Sequence, residues 1–298
     1  MIELLNKFYC NECESGWNYG LDVKGIKEMS LEKNLFNQNI KCESCGNEFL
    51  YFQGLINKLV EDDHFGTWEF IYDTQYFGST NIVVGKEHKI TLPKQVLITK
   101  VMLTCQDGFC SVAPNFHSQI ESDSFGIVSS ETDDEGEMVK KFGENLSVNW
   151  MVYGKSGNKP IETWVHLLTQ VKEQIVHGQY NIAVLCSEMM FESFLDSTLN
   201  KLLISKGLSD GASYVILERL GNIQSKAHEL LKELNGVGLQ GEGKGTNPIN
   251  TQWTKLVKLR NKIAHGDNVD LDKEKAKWAL RTSLDAIFFI YNSCPLYK

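Results

Sequence analysis

Two matched cysteine pairs, Cys10-Asn11-Glu12-Cys13 and Cys42-Glu43-Ser44-Cys45, constrain the start of this chain more than any other feature. Two residues between thiols let both reach one ion from a tight knuckle. Two knuckles complete a tetrahedral shell of four thiolates. Such a shell has no open coordination position, so Zn2+ held by Cys10, Cys13, Cys42 and Cys45 would be structural and not catalytic. In a reducing compartment, paired CxxC motifs indicate metal more often than disulfide. The 28 residues between Cys13 and Cys42 exceed the usual ribbon spacing, which predicts a hairpin or an insertion between the knuckles. Residues 1–55 are therefore expected to form a four-cysteine zinc knuckle or ribbon. Cys105 and Cys110 flank an apparent turn with no second pair nearby, and read as packing residues. Cys186 and Cys294 read as core thiols.

Beyond the knuckles the pattern changes twice. Residues 56–155 read as strands: Trp68 to Tyr72 alternates, and Asn81 to Val84, His88 to Leu92, Val96 to Thr104 and Ser147 to Tyr153 are β-branched or apolar runs broken by Gly and Pro. This predicts a β-rich, sandwich-like or barrel-like middle domain. The acidic run from Glu131 to Glu137 reads as a solvated loop, and Gly154 to Pro160 as a linker. From Ile161 the period becomes helical. Helices are expected over Ile161 to Val176, Gln179 to about Leu203, Tyr214 to Leu234, about Thr251 to His265, and Lys273 to Tyr291. Gly236 to Gly245 holds too many glycines for a helix. Gly266 supplies a left-handed stop, and Asp270 or Asp272 a cap for the last helix. The expected architecture is thus a multidomain α+β chain with an all-α bundle over 161–298.

Charge separates the two halves. Of 30 Lys+Arg and 38 Asp+Glu, residues 161–298 hold 16 and 15; the first 160 residues hold the other 14 and 23. The acidic half is a poor general binder of nucleic acid, whose phosphates dominate affinity. No run approaches the roughly 18 apolar residues that span a bilayer, so no membrane association is expected. The first residues lack a basic start followed by an apolar stretch, which makes the cytoplasm the expected compartment.

The most informative stretch is Leu259-Arg260-Asn261-Lys262-Ile263-Ala264-His265-Gly266-Asp267. RNA can cleave itself when its 2′-hydroxyl attacks the neighbouring phosphorus. A catalyst needs a proton acceptor, a proton donor and positive charge for the crowded transition state. Histidine titrates near neutrality. Arginine keeps its charge and offers a planar fork of donors that fits phosphate oxygens. Arg260 and His265 are five positions apart. About 100° per residue leaves them roughly 140° apart around a straight helix. They converge only if the helix ends at His265 or if a second copy supplies one of them. A plainer alternative is open: both side chains suit the negative end of a helix dipole, and Asn261 and His265 form an i,i+4 pair.

Arg260, a polar Asn261, four intervening residues and His265, at the end of the penultimate helix of a C-terminal bundle, resemble the HEPN superfamily over about residues 161–298. The resemblance implies a homodimer through the helical domain with both motifs at its seam. It also implies metal-independent cleavage of RNA to a 2′,3′-cyclic phosphate, and a setting in toxin or antiviral defence systems. Expected roles are His265 as general acid and base, Arg260 as phosphate clamp and Asn261 as positioning residue. Glu188, on an acidic stripe with Glu192 and Asp196, is a supporting candidate that orients Arg260 or Asn261; Lys262 is a second one, contacting phosphate. No cofactor is expected for catalysis. The alternative is a non-catalytic HEPN dimer that binds RNA, nucleotide or protein. A third possibility makes the β domain the sensor of an unknown ligand or protein and the bundle only a dimeriser.

Overall fold

The computed structural model describes residues 2–10, 12–13, 16–21, 27–30, 39–42, 44–62, 74–105, 111–117, 120–131, 140–155, 161–241 and 247–297. The expected strand from Trp68 to Tyr72, Cys110, most of the acidic run and of the linker, and residues 242–246 lie outside them. The chain divides into two compact units, residues 1–51 with 68–160 and residues 52–67 with 161–298.

In the first unit each CxxC pair lies between the strands of a short antiparallel hairpin. Strands β1 (Ile2–Tyr9) and β2 (Gly16–Leu21) flank the first pair; β4 (Asn39–Lys41) and β5 (Glu48–Leu50) flank the second. The long gap between them holds β3 (Lys27–Ser30), which joins the edge of a larger sheet by pairing with β6 (Thr74–Val83). The remaining strands are β7 (His88–Cys105), β8 (Val112–Asn115), β9 (Glu121–Ser129) and β10 (Asn145–Lys155). The order in the antiparallel sheet is β3-β6-β10-β7-β9-β8.

Strand β7 explains how one sheet builds a closed core. Its first half, His88 to Leu97, pairs with β9, and its second half, from Leu97 on, pairs with β10. The register shifts between Thr91 and Val96, around Pro93, which has no N–H to give a ladder. Apolar side chains from both halves therefore meet in one cluster with Tyr76, Ile82, Phe125, Leu146 and Trp150. The two apolar runs read as separate strands, His88 to Leu92 and Val96 to Thr104, are one bent strand, and the sandwich-like middle is a single continuous sheet among the described residues. Gly78 stands opposite Trp150, and a β-carbon there would lie 2.6 Å from the indole, so only glycine fits that register position.

The second unit begins with a helix that the strand reading of residues from 56 onward did not anticipate. Helix α1 (Tyr51–Glu61) buries Leu55, Ile56, Leu59 and Val60, an i, i+1, i+4, i+5 stripe that belongs to a helix face and not to a strand. The bundle follows as α2 (Thr163–Val176), α3 (Tyr180–Ser205), α4 (Asp210–Leu220), α5 (Ile223–Ser225), a π-turn (Lys226–Leu230), α6 (Leu231–Asn235), α7 (Pro248–Ala264) and α8 (Lys273–Ser293). Cations tie α1 into it. Buried Lys172 of α2 donates to the Leu59 and Asp62 carbonyls at 2.5 and 2.6 Å, where a helix dipole ends. Arg281 of α8 reaches Asn57 and Glu61.

Helix α3 is the axis of the bundle. It packs against α2, α4, α7 and α8, and its apolar residues are spread around its axis rather than confined to one stripe, as suits a surrounded helix. The expected third helix is interrupted. Gly221 adopts a positive φ of 47°, and the Asn222 side chain accepts from the Gln224 amide at 2.9 Å, so one helix stops and another starts within two residues. No described helix is long and apolar enough to cross a membrane.

Candidate functional site

The four knuckle thiols converge. Cys10 Sγ and Cys45 Sγ are 3.5 Å apart, Cys13 Sγ and Cys42 Sγ 3.7 Å, and all four sulfurs lie within 4.8 Å of one another. A tetrahedron with metal–sulfur bonds of about 2.3 Å has sulfurs about 3.8 Å apart. A disulfide needs about 2.05 Å. The spacing therefore suits an ion at the centre and not a pair of disulfides. Backbone geometry supports the knuckles: the Glu12 amide donates to Cys10 Sγ, and Gly46, at φ 75°, closes the turn after Cys45 by donating to the Cys42 carbonyl. Cys10 and Cys42 are buried, Cys13 and Cys45 exposed.

The thiols also interact electrostatically. Burial raises Cys42, but the Cys45 and Ser44 amides and the neighbouring thiols outweigh it and bring it to about 6. At Cys45 the Asn47 amide works downward, yet burial and the thiols of Cys10, Cys13 and Cys42 push it up to about 12. Four thiolates this close repel one another. A divalent cation removes that conflict, which is the chemistry of a structural metal site. This is the zinc-ribbon-like arrangement expected from the spacing.

The second constellation lies on α3 and α7. The turn at the end of α7 follows the glycine logic. Gly266, at φ 82°, donates to Ile263 and Asp267 donates back to Lys262, so the helix ends with His265 as its cap. Arg260, one turn earlier, points toward α3. Its Nε lies 3.3 Å from Glu188 Oε2, and its outer edge donates to Asn261 Oδ1 at 3.1 Å. Glu188 is 2% exposed, whereas Arg260 is 36% exposed. The guanidinium therefore bridges the buried carboxyl and the solvent. The ion pair is close but poorly aligned, and Glu188 Oε2 accepts no hydrogen bond.

These residues wall a cavity of about 340 Å³, completed by Glu192 of α3, by Val257 of α7 and by Gly221 to Gln224 at the helix break. Burial, assisted by the Glu192 charge and opposed by Arg260, pushes the Glu188 carboxyl up to about 7. The acidic stripe thus divides by function: Glu188 goes to Arg260, whereas Asp196 holds the buried Lys226 at 2.9 and 3.0 Å.

Within one chain Arg260 and Asn261 share this cavity and His265 does not line it. The His265 side chain is exposed at the helix end, as is Lys262. No described contact joins the imidazole to the guanidinium. Asn222 and Gln224 were not anticipated; the dipeptide Gly221-Asn222, a left-handed stop followed by a capping side chain, is the sequence signal that places them. Comparison with known protein families, with curated proteins and with solved structures returns no match.

Two outcomes follow from this geometry. The protein should carry one zinc per chain, measured by elemental analysis, and Cys42→Ser should abolish it. Cobalt loaded in its place should give the intense thiolate-to-metal charge-transfer bands of a four-sulfur tetrahedron. Zinc-free protein with intact Cys10–Cys45 disulfides would contradict the assignment. The second outcome concerns pH. Glu188 rises from 4.5 to about 7 on folding and Asp285, half-buried near Arg281, from 3.8 to about 6. Across those windows the folded chain binds more protons than the unfolded one, so stability falls as pH rises. Urea denaturation should show the helical unit losing on the order of 2–3 kcal/mol between pH 5 and 8. Glu188→Gln should reduce that slope and leave the part due to Asp285; an unchanged slope in this variant refutes the assignment.

Proposed function

We propose that the helical unit is a metal-independent endoribonuclease of HEPN type that acts as a homodimer. The observation that carries this reading is Arg260: a permanent cation held on its Nε side by a buried carboxyl and at Nη1 by Asn261, and partly exposed at a cavity. Stabilising charge on the phosphorane-like transition state is the largest part of such catalysis. His265, exposed one turn further on, does not line the cavity at its own Arg260, and in the proposed dimer a two-fold arrangement brings it to Arg260 of the other copy.

In the proposed reaction His265 takes the proton of the 2′-hydroxyl as the oxygen bonds to phosphorus. The bond from phosphorus to the 5′-oxygen breaks, and the imidazolium returns the proton to that oxygen. The products are a 2′,3′-cyclic phosphate and a 5′-hydroxyl, with no oxidant or metal consumed. Asn261 steadies the Arg260 fork, Glu188 sets its angle, and Lys262 adds positive charge beside the strand. The four-cysteine module and the bent sheet then serve to recognise a signal or partner and control the nuclease.

A second reading, a non-catalytic dimer that binds RNA, draws support from the separation of Arg260 and His265 within one chain. Purified protein incubated with mixed RNA in buffer without added divalent ions separates the two. The nuclease reading expects cleavage leaving cyclic-phosphate ends, and a rate at least about 100-fold lower for His265→Ala, with helical content and oligomeric state unchanged. Intact RNA that is merely retarded on a gel supports the binder; undiminished cleavage by His265→Ala removes the proposed mechanism.

A further inference from the structure

The cavity beside Arg260 is larger than a phosphate site needs, and its lining is chemically mixed. Val257 and Ile223 give it an apolar floor. Asn222, Gln224 and Asn261 place three side-chain amides around it. Asn222 Oδ1 is engaged with the Gln224 backbone and Asn261 Oδ1 with Arg260, which leaves their N–H donors for a ligand. Glu188 lines the same space and is 2% exposed, with its Oε2 turned to Arg260 Nε at 3.3 Å, whereas the Glu192 carboxyl has no described partner.

The charges narrow the ligand. One cation, Arg260, faces two carboxyls, Glu188 and Glu192. A chain of two or three phosphates would be repelled; a single phosphodiester at Arg260 is matched. Apolar floor, amide rim and one adjacent cation together suit one nucleotide unit, its base in the cavity and its phosphate on the guanidinium. The carboxyls then choose the base. Among the RNA bases only guanine presents two neighbouring N–H donors, at N1 and N2, to a carboxylate on its pairing edge. Adenine and cytosine present an amino group beside a ring acceptor, and uracil one N–H between two carbonyls.

We infer that the cavity between α3, the Gly221–Gln224 break and α7 is a guanosine subsite, with Glu192 as its specificity-determining residue and Arg260 holding the adjoining phosphate. The inference rests on the reading of this unit as an RNA-acting one and names the nucleotide it selects.

The test is calorimetric titration of the full-length protein with 3′-GMP, 3′-AMP and 3′-UMP. The subsite requires 3′-GMP to bind at least tenfold tighter than either of the others. Glu192→Gln should erase that preference while the protein stays folded, because the side chain lines the cavity and is only half-buried. Arg260→Lys should weaken 3′-GMP yet leave guanosine, which lacks the phosphate, unchanged. Equal binding of the three nucleotides, or binding of none, overturns the subsite. A preference that survives Glu192→Gln overturns the role of that residue. Ribonuclease assays keep the two proposals apart: cleavage with no bias for guanosine sinks the subsite and spares the nuclease, whereas selective 3′-GMP binding without cleavage does the reverse.

Discussion

The pairing of Glu188 with Arg260 is the constraint around which the helical unit is arranged. A carboxyl on the most enclosed helix of a bundle is costly to ionise, and a single cation beside it repays that cost only partly. Replacing both by apolar residues would serve packing as well or better. The pair makes sense when its value lies in geometry. Glu188 fixes the Nε side of a guanidinium, Asn261 takes its outer edge, and the rest of the group is turned to the cavity. The break at Gly221 and the stop at Gly266 complete the setting. The first opens the wall of the cavity. The second ends α7 before His265 can be buried against its own chain.

The first unit solves a different problem by similar means. The strands of its second hairpin are only three residues long, and the two knuckles crowd four thiols together, so that those of Cys10, Cys13 and Cys42 oppose the ionisation of Cys45. A bound metal turns that opposition into cohesion. The long stretch between the knuckles also contributes β3 to the six-stranded sheet, so the metal module and the sheet belong to one compact unit. Bending β7 near Pro93 lets the apolar side chains of both its halves meet in one cluster.

Much of this could be read from the residues, and the misses have physical causes. The knuckles were legible because tetrahedral thiolate coordination needs that spacing. The C-terminal end of α7 and the start of α8 were legible because Gly266 and the capping Asp272 act locally, whereas the start of α7 lies three residues before the expected Thr251. Helix α1 was missed because its apolar stripe follows the second knuckle directly, with no cap or turn to separate them, and was absorbed into the strand-rich region. The partner of Glu188 was a guess among three acidic residues on one helix, since burial is decided by packing against α7 and α8. The cavity was invisible because an apolar period continues on both sides of Gly221-Asn222. The bend in β7 was invisible because register shifts depend on which strand lies alongside, information held in distant residues.

A dimeric site built from Arg260 of one chain and His265 of the partner subunit makes a demand that a site within one chain does not. Arg260→Ala and His265→Ala should each be inactive alone. Mixed under exchange conditions, they should form heterodimers in which one of the two sites is whole, restoring up to about a quarter of wild-type RNA cleavage. Activity that stays at background in mixtures shown to contain heterodimers would contradict the account.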